Sequence, residues 1–280
     1  MNTIRKAILS LALSAIVAAA QAPAPAARQP KPKSQKEVEA IQAIFAAQDP
    51  DSRIKLAEEL ITKFADTEFK ALALQIIAMS YQQKNDVEKM ILYSERVLEA
   101  EPKNYSAMLM IAGAIAQRTR EHDLDREEKL GQAEKYARDA MEILKTAPKP
   151  RPDITDEQWQ AAKKDFNAQA HEALGMAAMA RKKYDVAITE LKASVEEASQ
   201  PDPATMVRLG AVYNMTGKPD EAVAIIDKAL AVPDLNPQIR QFATNEKIKA
   251  NQAKAGAKPA PPAGQPSTQP PPPPPAPPKP

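Results

Sequence analysis

The chain has no cysteine in its 280 residues, which excludes disulfides, thiolate metal sites, cysteine nucleophiles and a lipidated N-terminal cysteine together. Glycine is scarce, with seven residues, and aromatics make up only 4% of the chain, while alanine is abundant. That balance favours helices packed through small side chains over a sheet, so the expected class is all-α. Only two histidines occur. His122 lies in a charged stretch, where a solvated side chain is the ordinary outcome, and His171 has Glu172 beside it but no second ligand three or four residues away. There is no phosphate-binding loop and no serine nucleophile elbow. Adjacent carboxylates such as Glu58 with Glu59, Glu127 with Glu128 and Glu196 with Glu197 suit solvent-facing helix positions. No catalytic residue, metal site, cofactor or small-molecule substrate is therefore assigned.

What is present begins with a distinctive N-terminus. Residues 1–20 run from basic Arg5 and Lys6 through an apolar stretch to Ala18, Ala19 and Ala20, the three-part pattern of a secretory signal. Cleavage is expected after Ala20, with export to the periplasm or cell envelope of a bacterium. The apolar stretch is shorter than the roughly 20 residues that cross a bilayer, so membrane contact is expected only through this segment if it stays uncleaved.

Charge is distributed unevenly along the remainder. Arg28, Lys31, Lys33, Lys258 and Lys279 sit in two proline-rich ends that contain no acid, leaving 31 bases against 36 acids between them. An acidic middle of this kind lacks the concentrated basic face of a nucleic-acid-binding protein. Residues 21–33 read as an Ala/Pro-rich linker. Residues 253–280 read as a disordered proline-rich tail, with the unbroken proline run 270–275 favouring polyproline II. Such a tail serves as a stiff spacer or disordered end, as a docking ligand for an aromatic groove, or as a spacer through the cell wall.

Between the ends, long amphipathic stretches are separated by short turns at Lys84-Asn85-Asp86, Arg181-Lys182-Lys183 and Thr216-Gly217-Lys218. The segment Met206-Val207-Arg208-Leu209-Gly210-Ala211-Val212-Tyr213, followed by Gly217, Ala222 and Ala229, resembles the tetratricopeptide-repeat consensus. One unit earlier come Leu174-Gly175, Tyr184, Ala187 and Ser194, and the step from Gly175 to Gly210 equals that from Ala187 to Ala222. Ile77-Ala78, Tyr81, Val97 and Pro102 fit the same frame, with Met90 where a small residue is usual. Ile111-Ala112 with Ala133 and Ala140 gives a further unit, enlarged inside its hairpin by about nine residues around Arg118 to Asp125.

The resemblance implies a right-handed α-solenoid of about four helix hairpins over residues 71–252, closed by a C-terminal capping helix. Residues 34–70 are read as an N-terminal helical hairpin, a cap or degenerate repeat, with helices over 34–47 and 53–64. The last helix, from Pro237, is expected to cover the final repeat with Ile239, Phe242 and Ile248. Asp125 with Glu128 suggests a capped helix start, and Thr155 with Gln158 a capping box opening an unusually long helix near Asp156 on which Trp159 packs. The family also implies a concave groove lined by the first helix of each hairpin, which holds a protein or peptide partner. The matching positions are Gln75, Met79 and Gln82; Leu109, Gly113 and Ala116; Glu172, Met176 and Met179; and Val207, Ala211 and Asn214. The lysine and arginine pattern by which family members clamp a C-terminal carboxylate is absent. The methionines suit adaptable apolar contacts, and each also suits packing between helices. The function that follows is an interaction scaffold or adaptor. The alternatives are a spacer acting through the proline tail and an enzyme whose site is assembled from distant residues.

Overall fold

The computed structural model describes residues 30–256, which form eleven α-helices and no strand among the described residues. The expected leader, most of the expected linker and the expected tail from residue 257 lie outside them. In chain order the helices are α1 (Gln35–Ala46), α2 (Pro50–Lys63), α3 (Lys70–Gln83), α4 (Val87–Ala100), α5 (Tyr105–Arg118), α6 (Arg126–Thr146), α7 (Asp156–Ala180), α8 (Tyr184–Glu197), α9 (Pro203–Met215), α10 (Pro219–Leu230) and α11 (Pro237–Lys254). Local chemistry fixes most of the starts. Ser34, Asp49, Asp86, Asn104, Thr155, Asp202 and Asn236 each accept a first-turn amide N–H, and prolines 50, 203, 219 and 237 occupy positions where no amide donor is missed. With Asp49 as its cap, α2 starts at Pro50, ahead of the start expected at Arg53. The capping box expected at Thr155 and Gln158 is formed in both directions. Asp125 departs from expectation: its carboxylate caps no amide and pairs with Lys129 at 2.9 Å instead.

Each odd-numbered helix packs antiparallel on the next, and successive hairpins stack into an α-solenoid. Alanine makes the stacking possible. Ala57, Ala73, Ala112, Ala133, Ala137, Ala140, Ala170, Ala177, Ala187, Ala222 and Ala229 are buried at the crossings, with Leu74, Ile77, Ile111, Leu130, Leu191 and Ile226 filling the space beside them. Burying one methyl at every contact lets helix backbones approach closely, so a chain poor in aromatics still builds a continuous core.

The extra residues after α5 divide between a longer turn, 119–125, and an added first turn on α6, so the turn alone does not absorb them. Helix α7, at 25 residues, extends beyond its neighbours: its second half packs on α5 through Ala170, Ala173 and Leu174, and its first half reaches the start of α5 and the end of α6. There Trp159 is buried, with its ring 6.4 Å from that of Tyr105 and its indole N–H donating to the Ala147 carbonyl at 3.2 Å, while Tyr105 meets Phe166 edge-on at 5.0 Å. At the opposite end of α7 the enlarged turn is strapped to the next hairpin turn. Lys182 pairs with Glu121 at 2.8 Å, Arg181 with Glu127 at 2.7 Å and with Glu134, and Arg126 donates to the Ala180 carbonyl. Those hydrogen bonds, before any other cause, hold Glu121 and Glu127 below the usual carboxylate range. Glu127 is therefore a strap residue and not simply a solvated one.

Helix α11 closes the stack through one of the three expected residues, Ile239, and through others that were not expected. Ile239, Ala243, Glu246 and Ala250 face the last hairpin, spaced so that they share one side of the helix, whereas Phe242 and Ile248 remain half exposed. Glu246 is buried as an acceptor for Asn214 Nδ2 at 2.9 Å and Lys249 at 2.6 Å, so the cap is pinned by a polar contact as well as by packing.

Candidate interaction surface

The first helices α3, α5, α7 and α9 present one side to their own partner helix and leave another open. The expected groove positions recur on these helices in sequence, but neighbouring helices leave them unequally accessible. On α3, Met79 and Gln82 are exposed, and Gln75 donates from Nε2 to Ser106 Oγ at 3.0 Å, tying α3 to α5. On α5, Leu109 and Ala116 are buried beneath the overhanging α7, and Gly113 is half-buried. On α7, Met176 and Met179 are half-buried and lean on the cores of successive hairpins. On α9, Val207 and Ala211 are buried and Asn214 is bound to Glu246 of α11. Leu109, Val207 and Ala211 are thus core positions, which offer a partner little surface. The methionine stripe narrows to Met79.

Glu172 of α7 is not free for a partner either. It accepts from Arg208 Nη1 at 2.7 Å and from Thr205 Oγ1 at 2.7 Å, both on α9, with Asp202 3.9 Å from the same guanidinium. This quarter-exposed ion pair neutralises the charge of the α7–α9 part of the surface. His171, on a different side of α7, reaches across its own hairpin to Glu190 at 2.7 Å. Among the described residues no group of three histidines, aspartates or glutamates is placed to hold a metal ion.

A small apolar cleft lies outside the expected groove, between α1 and α3. Ile41, Ile44 and Phe45 of α1 face Phe69, Leu72 and Ile76 of α3 across it, with Leu60 at its floor. Phe45 is 64% exposed and Met79, one turn beyond Ile76, is 45% exposed. The neighbouring polar positions on the two helices, Gln42, Gln75 and Gln82, are uncharged. The sequence signal for this cleft is the Ile41/Phe45 pair at i, i+4, which places two large apolar groups on one side of a helix whose core contacts come from Glu37, Ala40 and Ile44.

Helices α3 and α4 coincide with the stretch that matches a known family: residues 71–104 fit the family model for the tetratricopeptide repeat. The whole stack is similar to the crystal structure of TTC0263, a thermophilic TPR protein in Thermus thermophilus. The two share 18% identity and a TM-score of 0.50, over 76% of this chain and 98% of that one. Residues 71–104 are thus a tetratricopeptide repeat, and the stack has the tetratricopeptide-repeat fold. The likeness to TTC0263 is one of fold. A further match, the crystal structure of MamA, has 17% identity and a TM-score of 0.37 over 64% of this chain and 95% of that one. No curated protein matches the chain by sequence. Tetratricopeptide hairpins are a general scaffold for protein–protein interaction, so the open side of the first helices is the place to seek a partner.

Proposed function

We propose that this tetratricopeptide-repeat protein is an exported scaffold of the bacterial cell envelope that holds a partner protein on its first-helix side, at the α1–α3 end. The observation that carries the reading is the apolar strip on which exposed Phe45 and Met79 flank the partly buried Ile41, Leu72 and Ile76. Two roughly parallel helices with an apolar cleft between them suit a third helix laid along it, the mode in which an amphipathic segment presents residues at i, i+3, i+4 and i+7. The neutral glutamine border favours a partner segment whose recognition is apolar and not ionic. Export rests on the leader pattern of residues 1–20 and agrees with the lack of cysteine, since an exported chain without thiols has no oxidative folding step.

The test is co-purification from gently solubilised envelopes with the intact protein and with a Phe45→Glu/Met79→Glu variant. Both side chains are exposed, so helicity is expected to survive the change. Loss of the partner from the variant supports the reading, and undiminished recovery overturns the surface assignment. In the same preparations, the intact mass of the envelope form should lack residues 1–20. A full-length mass would overturn the export step.

A further inference from the structure

On the opposite side of the stack, the second helices α8 and α10 leave a groove of about 640 Å3 between them. Its floor is the ring of Tyr213 from α9, with Ile188 and the stems of Lys192 and Lys218 along the walls and Glu196 and Glu221 at the rim. Tyr213 and Ile188 lean on the core of the last two hairpins, so the floor is rigid. The Tyr213 hydroxyl makes no hydrogen bond among the described residues, and neither Lys218 nor Glu221 forms an ion pair among them. Lys192 pairs with Glu196 at 3.6 Å, so the groove offers an aromatic face, an aliphatic wall and two donors without partners, the Tyr213 phenol and the Lys218 ammonium.

We propose that the occupant of this groove is the chain's own proline-rich segment, with the proline run 270–275 laid over Tyr213. Proline has no amide donor, so such a run presents carbonyl acceptors only, and a groove supplying the Tyr213 phenol and the unpaired Lys218 ammonium matches it. Polyproline II is recognised by ring-on-aromatic packing of this kind, and its conformation is largely set before binding, which lowers the entropy lost.

Where the described chain ends is what makes this groove, and not another, the place to look. Lys254, in the last turn of α11, pairs with Asp220 at 2.6 Å, in the first turn of α10. Lys218, two residues before Asp220, donates its backbone N–H to the Tyr213 carbonyl at 2.9 Å, so the exit of α11 and the groove floor share one end of the last hairpin. Gly256 then takes φ +73°, which turns the chain off the helix axis. Thirteen residues separate Gly256 from the proline run, and a flexible chain of that length has a root-mean-square span of roughly 20 Å, against an axis-to-axis distance of about 10 Å between packed helices. An intramolecular ligand on such a tether works at an effective concentration on the order of millimolar, so weak packing on one aromatic ring suffices. Burial pushes the Tyr213 phenol above its usual pKa, with Lys192 opposing the shift and Glu221 and Glu196 adding to it. It therefore remains a protonated donor at neutral pH.

The cysteine-free chain allows a direct test. A full-length A276C variant carrying one nitroxide should broaden the methyl resonances of Ile188 and Ala193 to less than half their intensity and leave those of Ile41 and Ile76 sharp. Replacing Pro271, Pro273 and Pro275 by glycine in the spin-labelled chain should restore the signals at least about twofold, and Tyr213→Ala should do the same. The glycine variant alters no helix, so it remains informative if Tyr213→Ala unfolds. Broadening confined to the α1–α3 side, or uniform and weak broadening, overturns the proposal. So does broadening that appears when spin-labelled, isotopically silent protein is mixed with isotopically labelled protein free of nitroxide, because that places the segment on a second copy.

Discussion

Gly210 of α9 crosses α10 so closely that a Cβ added to it would stand 2.5 Å from Cγ1 of Ile226, a side chain buried on all sides. One hairpin earlier, the same construction puts a Cβ on Gly175 at 2.7 Å from Cγ and Cδ2 of Leu191 and 3.2 Å from the Leu191 amide nitrogen. These contacts set the distance between the two helices of each hairpin. Gly210→Ala is expected to destabilise the protein by about 1–3 kcal/mol through overpacking. That outweighs the gain in helix propensity, at most about 1 kcal/mol. Gly113 on α5 has nothing within 4 Å of its Cβ position, so Gly113→Ala should stabilise by roughly 0.5–1 kcal/mol. Urea midpoints of the alanine variants at Gly113, Gly175 and Gly210 measure the contrast, and a stabilised Gly210→Ala would show that the crossing is not set by that glycine.

The same two glycines explain how much of the fold is legible in the sequence. Gly175 and Gly210 are separated by the same step as Ala187 and Ala222 because each pair sits at the corresponding crossing, so close packing leaves a period in the sequence. Accessibility leaves no such period. Placing Met79, Leu109, Met176 and Val207 in one groove assumes that each first helix shows the same side to solvent, but α5 lies under the long α7 and α9 under α11, so Leu109 and Val207 are core. Phe45 escapes a repeat-based reading for a related reason: α1 and α2 lack the repeat's signature residues, and it is the outer side of α1 that completes the α1–α3 strip. In α11, hydrophobicity points to the large residues Phe242 and Ile248, while the packing surface is carried by Ala243 and Ala250, whose small size suits a close helix contact.

Glu37, buried near the start of α1, depends on two short contacts: it accepts from Thr67 Oγ1 at 2.6 Å and from the Lys33 amide at 2.6 Å. The two fasten the beginning of the fold to the α2–α3 turn. Thr67→Val keeps the shape but removes both the donor to Glu37 and the acceptor of the Phe69 amide N–H, at a cost of about 1–3 kcal/mol. Hydrogen exchange should speed up at the amides of Lys33 and Val38 before it does so in α7. Unchanged exchange at these sites would mean that Glu37 finds another donor.

The single tryptophan offers a built-in probe of the long α7. Trp159 is buried against Tyr105, and the Lys163 ammonium lies 5.4 Å from the centre of the indole ring. Native emission is expected to be blue-shifted and to move red on unfolding. Thr155→Ala removes the capping box directly before it and should lower stability by roughly 1 kcal/mol while leaving the native emission maximum in place. A red-shifted native spectrum in that variant would show that the cap orders the whole overhang and not only its first turn.

Tyr93 of α4 should make the protein sensitive to alkali. Its ring stacks on Tyr81 at 5.4 Å and its hydroxyl donates to Glu58 of α2 at 2.6 Å. Burial, then the hydrogen bond and charge of Glu58, push its phenol up to about 12 from the usual 10.0. A phenol that holds its proton longer in the folded than in the unfolded state contributes stability that is fully present below the unfolded pKa. It is lost as pH rises from about 10 through about 12, because the unfolded chain then binds fewer protons. Phenolate absorbance should therefore show one of the six tyrosines titrating late in the native protein. Tyr93→Phe should remove that late step and flatten the alkaline fall in stability. Glu58→Gln should only bring the step earlier, since the burial that dominates the shift stays in place. If the late step survives Tyr93→Phe, it belongs to Tyr105 or Tyr213, whose phenols burial also raises.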